Sequence, residues 1–272
     1  MQIWDAVAIP EQAPVHAGVA DLPGTKLWYW DTGGPGRPVV LLHAATQSGA
    51  GWVYQQPVLA QVGYRVIGYS RRGYLGSDPG DPKQPGIASD DLHALLTFLR
   101  VGDIDLVAAA HGGYVALDYV LSHPRNVRTL TIVSSMMGIT DADYVAVNER
   151  LRPAFFNELP HDFRELSPSY RAGNPAGLAA WQALERQAIP GKVRVYPQMK
   201  HVMTWEKLAT IRQPALLLTG ESDRYTPPAV LRMQAQHMAH AEFSVIGEAG
   251  HSPYWEQPVQ FNQLLLDFLA RH

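Results

Sequence analysis

The start of the chain carries apolar and polar residues in a pattern typical of β-strands. Residues 16–24 and 25–34 are short β-type stretches bounded by turns, and residues 38–44 form a continuous apolar run, PVVLLHA. A strand that is apolar at consecutive positions is typical of a sheet covered on both faces. This part of the chain therefore predicts the first strands of a buried sheet.

Further along, helical patterns alternate with short apolar strands. The apolar stretches YRVIGYS, IDLVAAA and VRTLTIVSS are separated by segments with helical spacing, and the same alternation resumes from residue 214 to the end of the chain. Strands that alternate with helices indicate βαβ units and a mostly parallel sheet.

The segment 89–102 shows the punctuation expected of a helix. Ser89 is the predicted N-cap, two aspartates follow in the first turn, Arg100 lies in the last turn and Gly102 lies beyond it. The leucines at this spacing share one face, which we expect to be buried: Leu92, Leu95, Leu96 and Leu99.

The alternation stops between about residues 138 and 205, where helical segments are separated by proline and glycine. We predict a helical cap at 138–205, inserted into one core domain formed by residues 1–137 and 206–272. The large apolar side chains of the insertion either form its own core or face the site as a lid: Tyr144, Phe155, Phe156, Tyr170, Trp181, Tyr196, Met199, Met203 and Trp205.

Composition narrows the class of protein. The 272 residues carry 22 basic and 25 acidic side chains without a charged run, which argues against nucleic-acid or anionic-membrane partners and favours a small molecule. The absence of cysteine excludes disulfides and cysteine nucleophiles, and it fits a reducing cytoplasm. No apolar run approaches the ~20 residues of a membrane span, and the N-terminus does not resemble a signal peptide. We therefore expect a soluble, cytoplasmic protein; its oligomeric state cannot be read from the sequence.

The candidate chemistry is centred on Ala110. The segment AAAHG, residues 108–112, stands between an apolar strand and a helix, where a nucleophile elbow would carry G-x-S-x-G. Asp223 follows a later strand and His251 follows the next one, so Ala110, Asp223 and His251 have the chain order of a nucleophile, an acid and a histidine.

These features resemble the α/β-hydrolase superfamily over essentially the whole chain. LLHAATQSGAGW is similar to the oxyanion-loop segment of that superfamily, and YSRRGYLGSDPG is similar to its RGxGxSD segment. The resemblance implies an α/β-hydrolase fold with a mostly parallel central sheet, flanking helices and a helical cap, without a cofactor. It also implies oxyanion donors at the backbone N–H groups of Ala45 and His111, with His43 positioning the oxyanion loop.

Three alanines depart from the pattern of the superfamily. Ala110 replaces the nucleophile, while Ala108 and Ala44 replace glycines. Alanine has no lone pair, and loss of the serine of such a triad costs about 10⁶ in kcat. The chain is thus either a serine-to-alanine form of a hydrolase or a natural member that works without a nucleophile.

A natural nucleophile-free enzyme would use His251, oriented by Asp223, as its general base in a lyase, cyclase or oxygenase reaction. The HGG at residues 111–113 resembles cofactor-independent ring-cleaving dioxygenases of this fold, but those place their acid after the strand that here ends TIVSSMM, without a carboxylate. A ligand-binding protein without turnover is the third alternative.

Other assignments are weaker. Four hydroxyl side chains near the predicted site are candidates for a substitute nucleophile, but none stands on an elbow: Thr46, Ser48, Ser134 and Ser135. His43, His111 and His251 lack a carboxylate at metal-ligand spacing, so we expect no metal. Trp255 is a candidate pocket wall. The expected substrate is small and largely hydrophobic, aromatic compounds included, with an ester, lactone or ketone group near Ala45 and His111.

Overall fold

The computed structural model describes residues 6–191 and 194–272, which form an eight-stranded sheet flanked by helices. Residues 1–5 of the first predicted core segment and residues 192–193 of the predicted cap lie outside the described residues. The strands are β1 (His16–Leu22), β2 (Thr25–Asp31), β3 (Pro38–Leu42), β4 (Arg65–Tyr69), β5 (Ile104–Ala109), β6 (Val127–Val133), β7 (Ala215–Gly220) and β8 (Ala241–Ile246).

The sheet has the order β1-β2-β4-β3-β5-β6-β7-β8. β1 and β2 pair antiparallel at one edge, and β4, β3, β5, β6, β7 and β8 run parallel to one another. Every residue of β5 is buried, Asp105 included, as expected for a mostly apolar strand that is covered on both faces. The predicted α/β-hydrolase fold is confirmed. The carboxyl ends of the parallel strands meet at one edge of the sheet, which is where ligands bind in such folds.

Helices cover both faces of the sheet and form the segment between β6 and β7. They are α1 (Gln56–Gln61), α2 (Ala88–Phe98), α3 (His111–Ser122), α4 (Ala142–Leu151), α5 (His161–Glu165), α6 (Pro168–Gly173), α7 (Pro175–Ala188), α8 (Trp205–Leu208), α9 (Pro228–Gln236), α10 (Pro253–Glu256) and α11 (Pro258–Arg271). No helix within the described residues is both long enough and apolar enough to cross a membrane.

The helical segment between β6 and β7 leaves the core and returns to it at neighbouring positions. Ile139 forms a parallel β-bridge with Met203, and the helices from α4 to α7 lie between these two residues. This arrangement is compatible with a cap inserted at one point of the core, and the bounds 138 and 205 stay a prediction.

The predicted capping of α2 is wrong at both ends. The helix begins at Ala88, and Ser89 does not cap it, because its hydroxyl donates a hydrogen bond to the buried carboxylate of Asp118 on α3 at 2.5 Å. At the other end Arg100, with φ of 52°, takes the left-handed position that was expected nearer Gly102. Contacts between helices have thus overridden local signals that the sequence carries.

The start of α3 packs unusually close to the sheet. A Cβ atom on Gly112 would lie 2.5 Å from the carbonyl oxygen of Leu42, and one on Gly113 would lie 2.5 Å from the hydroxyl of Ser135. The two glycines of the HGG segment are therefore explained by close packing on β3 and β6 and need no catalytic role.

We predict that Gly112→Ala lowers the free energy of unfolding by about 1–3 kcal/mol, because the methyl group meets a backbone oxygen that cannot move aside. Gly102→Ala is the matched control, since its added methyl would meet open space; we expect a change within about 0.5 kcal/mol. Urea unfolding measures the stability of both variants. An equal loss of stability in the two would contradict the explanation that the close approach of α3 to β3 excludes a side chain at residue 112.

Candidate active site

Ala110 occupies a sharp turn between β5 and α3. Its φ of 49° and ψ of −114° lie outside the regions that alanine ordinarily adopts. The turn is held on both sides: the N–H of Ala110 donates to Val133 O at 2.8 Å, and the carbonyl of Ala110 accepts from the N–H of Gly113 at 3.0 Å. The chain therefore keeps the strained backbone of a nucleophile elbow with an alanine at its apex.

The alanine that replaces the first glycine of the elbow is accommodated. Ala108 is fully buried in β5, where it pairs in register with Leu42 and Ile132. The departure at this position leaves the elbow intact.

His251 and Asp223 form a hydrogen-bonded pair at the carboxyl ends of β8 and β7. His251 Nδ1 lies 3.0 Å and 2.9 Å from the two carboxylate oxygens of Asp223. Asp223 Oδ1 also accepts the backbone N–H groups of Tyr225 at 2.7 Å and Thr226 at 3.0 Å, so the carboxylate cannot turn away. An ionised carboxylate only accepts hydrogen bonds, so Nδ1 carries the proton and Nε2 is the nitrogen that can act as a base.

The pKa of His251 is raised above its usual value of 6.5. Burial by itself favours the neutral ring, but the charge and hydrogen bond of Asp223, together with the carboxyls of Glu165 and Glu256, outweigh it. Burial also acts to raise the pKa of Asp223, and here the charge of His251 outweighs it, so the pKa of Asp223 is lowered. The neutral, basic form of His251 accordingly increases as the pH rises through its raised pKa.

The loop that carries His251 is fastened to the cap. The buried carboxylate of Glu256 accepts the N–H of Gly250 at 2.8 Å and the N–H of Ser167 at 2.7 Å, and the N–H of His251 donates to Glu165 O at 2.7 Å. Burial raises the pKa of Glu256 to about 7. Residues 165–167 of the segment between α5 and α6 therefore help to position the histidine.

The loop after β3 is held by His43 from behind. The N–H of Arg71 donates to His43 Nε2 at 3.1 Å, so the ring proton is on Nδ1, which donates to Ala44 O at 2.7 Å. The guanidinium of Arg71 donates to His43 O at 2.5 Å, and Tyr74 donates its hydroxyl to Ala45 O at 3.0 Å. Burial and the charge of Arg71 hold the pKa of His43 well below its usual value, so the ring is neutral.

Ala45 and His111 both line the cavity beside the elbow. Neither backbone N–H donates to an acceptor in residues 6–191 and 194–272. The N–H of His111 also lies at the positive end of α3. The His111 ring stacks on Tyr114, and burial, with Arg71 and Arg194, lowers its pKa to about 3. These two amides are suited to hold a negatively charged oxygen.

One cavity of about 220 Å³ joins these elements. It is smaller than the roughly 300–1,000 Å³ of pockets for drug-sized ligands. The cavity is lined by Ala45, Thr46, Ala110, His111, Tyr114, Ser134, Met136, His161, Arg164, Glu165, Arg194, Tyr225 and His251. Of the predicted site residues, Ala45, Ala110, His111 and His251 therefore meet in one place, with Asp223 behind His251.

Two of the predicted site residues lie away from the cavity. His43 is buried with both ring nitrogens bonded to backbone groups, so the three histidines do not share one cavity. The prediction that Trp255 forms a pocket wall is wrong: it is 1% exposed and packs edge-on against Tyr54, with ring centroids 5.2 Å apart. The short helix α10 turns Trp255 into the core behind the histidine loop.

The cap contributes charged residues to the cavity. His161, Arg164, Glu165 and Arg194 line it, in place of the aromatic and methionine side chains expected of an apolar lid. Several of those side chains are buried instead: Tyr144, Phe156, Tyr170, Trp181 and Met203. Sequence reasoning missed these four residues because single polar residues on the short helix α5, or in the irregular segment that carries Arg194, have no periodic signal. Tyr225 was also missed, although it stands two residues after Asp223 and its ring lies 4.4 Å from that of His251.

A larger groove of about 780 Å³ lies beside the cavity, and residues within 73–85 line it together with residues 190–191 and 194–196. It shares only Arg194 with the cavity and contains neither Ala110 nor His251. We therefore place the chemistry in the smaller cavity.

Of the four hydroxyl side chains considered as substitute nucleophiles, two stabilise turns and two line the cavity. Ser48 accepts a hydrogen bond from the N–H of Ala50 and Ser135 from that of Met137, so both have roles in turns. Thr46 and Ser134 line the cavity. Ser134 has a φ of 51°, and its buried hydroxyl has no partner among the described residues.

The fold and the site together define an enzyme of the α/β-hydrolase type. The family model for the alpha/beta hydrolase family matches residues 39–264, well over half of the chain. The protein belongs to this family.

Relatives and solved structures fit this assignment. The chain is 29% identical over 268 residues to the non-heme chloroperoxidase CPO-A1 of Kitasatospora aureofaciens, covering 91% of this chain and 97% of the relative. It is 27% identical to a 2-hydroxy-6-oxononadienedioate/2-hydroxy-6-oxononatrienedioate hydrolase of Burkholderia vietnamiensis, covering 91% and 93%. The solved structure of Est816, described as an N-acyl homoserine lactone degrading enzyme, is 28% identical with a TM-score of 0.75, covering 92% and 100%.

The strain at the elbow predicts an unusual response to glycine. Ala110→Gly should raise the free energy of unfolding by about 1 kcal/mol, because relief of about 1–3 kcal/mol of backbone strain exceeds the entropic cost of glycine. Ala109→Gly, one residue earlier in β5, is the control and should lower the free energy of unfolding. Chemical denaturation measures the free energy of unfolding of the two variants. A loss of stability for Ala110→Gly would contradict the conclusion that the backbone at residue 110 is strained.

The His251–Asp223 pair predicts a pKa change that NMR can measure. In Asp223→Asn the charge that raises the pKa of His251 is gone and burial becomes dominant, so its titration midpoint should fall from above 6.5 to below it. Asp103→Asn, a change at an exposed loop position, is the control and should leave the midpoint in place. The imidazole proton shifts of His251 report the midpoint, and an unchanged value in Asp223→Asn would rule out the pairing.

Proposed function

We propose that the protein acts on a small ester, lactone or ketone-type substrate, whose carbonyl oxygen binds between the N–H groups of Ala45 and His111. The observation that carries this proposal is that the elbow at Ala110, these two amides and the His251–Asp223 pair line or adjoin a single cavity. Acyl-transfer chemistry requires these three elements around one carbonyl group, and their convergence from separate parts of the chain supports the proposal.

The reaction follows from the groups that are present. Ala110 offers no oxygen, so an acyl-enzyme at this position is chemically excluded and water is the remaining nucleophile. His251 Nε2 takes a proton from water as the water oxygen adds to the carbonyl carbon, and the two amides hold the negative charge that develops. When the intermediate collapses, the leaving oxygen or carbon receives the proton from His251, whose positive ring is stabilised meanwhile by Asp223.

The names of related proteins support a carbonyl substrate. One relative is named as a hydrolase of an oxo-dioate and one solved structure as an enzyme that degrades an acyl lactone. The size of the cavity favours a substrate with few atoms beyond the reacting group.

The conformation of Ala110 predicts the effect of restoring an oxygen. We expect Ala110→Ser to increase the hydrolysis of aryl esters or lactones by roughly 10³-fold or more, because the elbow, the base and the oxyanion donors are already in place. Product formation measures the rate, and mass spectrometry detects the serine-bound acyl group that the mechanism requires.

The double variant Ala110→Ser, His251→Ala is the matched control and should lose this gain, with a rate no higher than that of the unaltered protein, because His251 is the base in both reactions. If serine adds nothing while the unaltered protein converts a substrate in a His251-dependent reaction that is not a hydrolysis, the lyase, cyclase or oxygenase alternative is correct. If neither protein turns over any substrate but both bind it, the site is a binding site and the hydrolase proposal is wrong.

A further inference from the structure

Two arginines from the cap face the cavity without a carboxylate partner. The ion pairs of the described lining residues join His251 to Asp223 and His161 to Glu185, and neither Arg164 nor Arg194 takes part in one. The Nε of Arg164 is buried and has no hydrogen-bond partner among the residues that the structure describes.

A guanidinium withdrawn from water without an acceptor is costly, and native proteins seldom leave one in this state. Two arginines of this chain show the usual solution: Arg65 pairs with Asp31 and Arg72 with Asp91, both through two-pronged contacts. Neither cavity arginine makes such a pair with a described residue, and the Nε of Arg164 is left without an acceptor there. A ligand that carries a hydrogen-bond acceptor would satisfy the unused donors of these arginines.

The other charges around the cavity do not neutralise these arginines. Asp223 is committed to His251 and Glu185 to His161. Glu165 also lines the cavity, but burial raises the pKa of its carboxyl and so opposes its negative charge. On the oxyanion side the buried Arg71 adds a further positive charge, and its charge acts with that of Arg194 on His111. The cap side of the cavity therefore favours an anion.

We propose that the substrate carries a carboxylate that binds to Arg164 and Arg194 while its reacting carbonyl lies at Ala45 and His111. The placing of the carbonyl rests on the proposed function, but the anion site does not. A guanidinium presents donors in a planar fork that matches a carboxylate, so this contact would set the orientation of the substrate as well as its affinity. Arg194 also borders the larger groove, so its guanidinium lies where the two spaces adjoin.

Equilibrium binding to the unaltered protein tests this inference directly, because Ala110 cannot form a covalent adduct. The probes are 5-oxohexanoate, a ketone without an ester bond to hydrolyse, and the neutral analogue in which a carboxamide replaces its carboxylate. Isothermal titration calorimetry should show that the anionic probe binds at least about tenfold more tightly than the amide.

Arg164→Gln and Arg194→Gln should each reduce this preference by about tenfold or abolish it. Arg232→Gln, at an exposed position of α9 away from the cavity, is the matched control and should retain it. Melting temperatures of the variants show whether they are folded. Equal affinity for the two probes, no detectable binding of either, or a preference that survives both cavity substitutions would overturn the anion site.

The anion site and the hydrolase proposal can fail separately. An arginine-dependent preference for the anionic probe, combined with no gain of hydrolysis in Ala110→Ser, would leave the anion site standing and remove the hydrolase reaction. Hydrolysis of neutral esters by Ala110→Ser without any preference for the anionic probe would do the reverse.

Discussion

The backbone of Ala110 is the constraint on which the geometry of the site depends. A positive φ with a ψ of −114° is costly for alanine, of the order of 1–3 kcal/mol, and persists only where the surroundings impose it. They do so here through the hydrogen bond to Val133 and through the close approach of α3 to β3 that Gly112 permits. This turn ends β5, starts α3 and places residue 110 at the cavity that Ala45, His111 and His251 also line. The chain thus retains the strained part of a nucleophile elbow although its residue has no nucleophilic atom.

The core and the cap supply different parts of the site. The core supplies the loop after β3, the start of α3 and the pair formed by His251 and Asp223. The cap supplies charge, through Arg164 and Arg194, and it also holds the histidine loop through the carbonyl of Glu165. Residues 164 and 165 are neighbours in the chain: Arg164 lines the cavity, and the carbonyl of Glu165 accepts the N–H of His251. A ligand bound to Arg164 would therefore lie close to the contact that positions His251.

The fold and the centre of the site were open to prediction because their signals are local. Consecutive apolar residues in β5, the alternation of strands and helices, and the order of Ala110, Asp223 and His251 can each be read over a few residues. The predictions failed where a distant contact overrode a local preference. Ser89 has the sequence position of an N-cap but bonds to Asp118 on another helix, and Trp255 stands four residues after His251 but turns into the core. The charged lining from the cap had no local signal at all.

The sequence by itself determined the α/β-hydrolase class, the mostly parallel sheet and the residues that follow its strands, because hydrophobic periodicity and chain order specify which segments are buried and which edge their ends share. Only the tertiary structure decided that residue 110 keeps the elbow conformation, that His43 supports the loop after β3 from outside the cavity, and that two arginines line the cavity. These features depend on the packing of segments that are far apart in the chain. Distances of a few ångström between their side chains decide whether a charged group is paired, buried or accessible to a ligand.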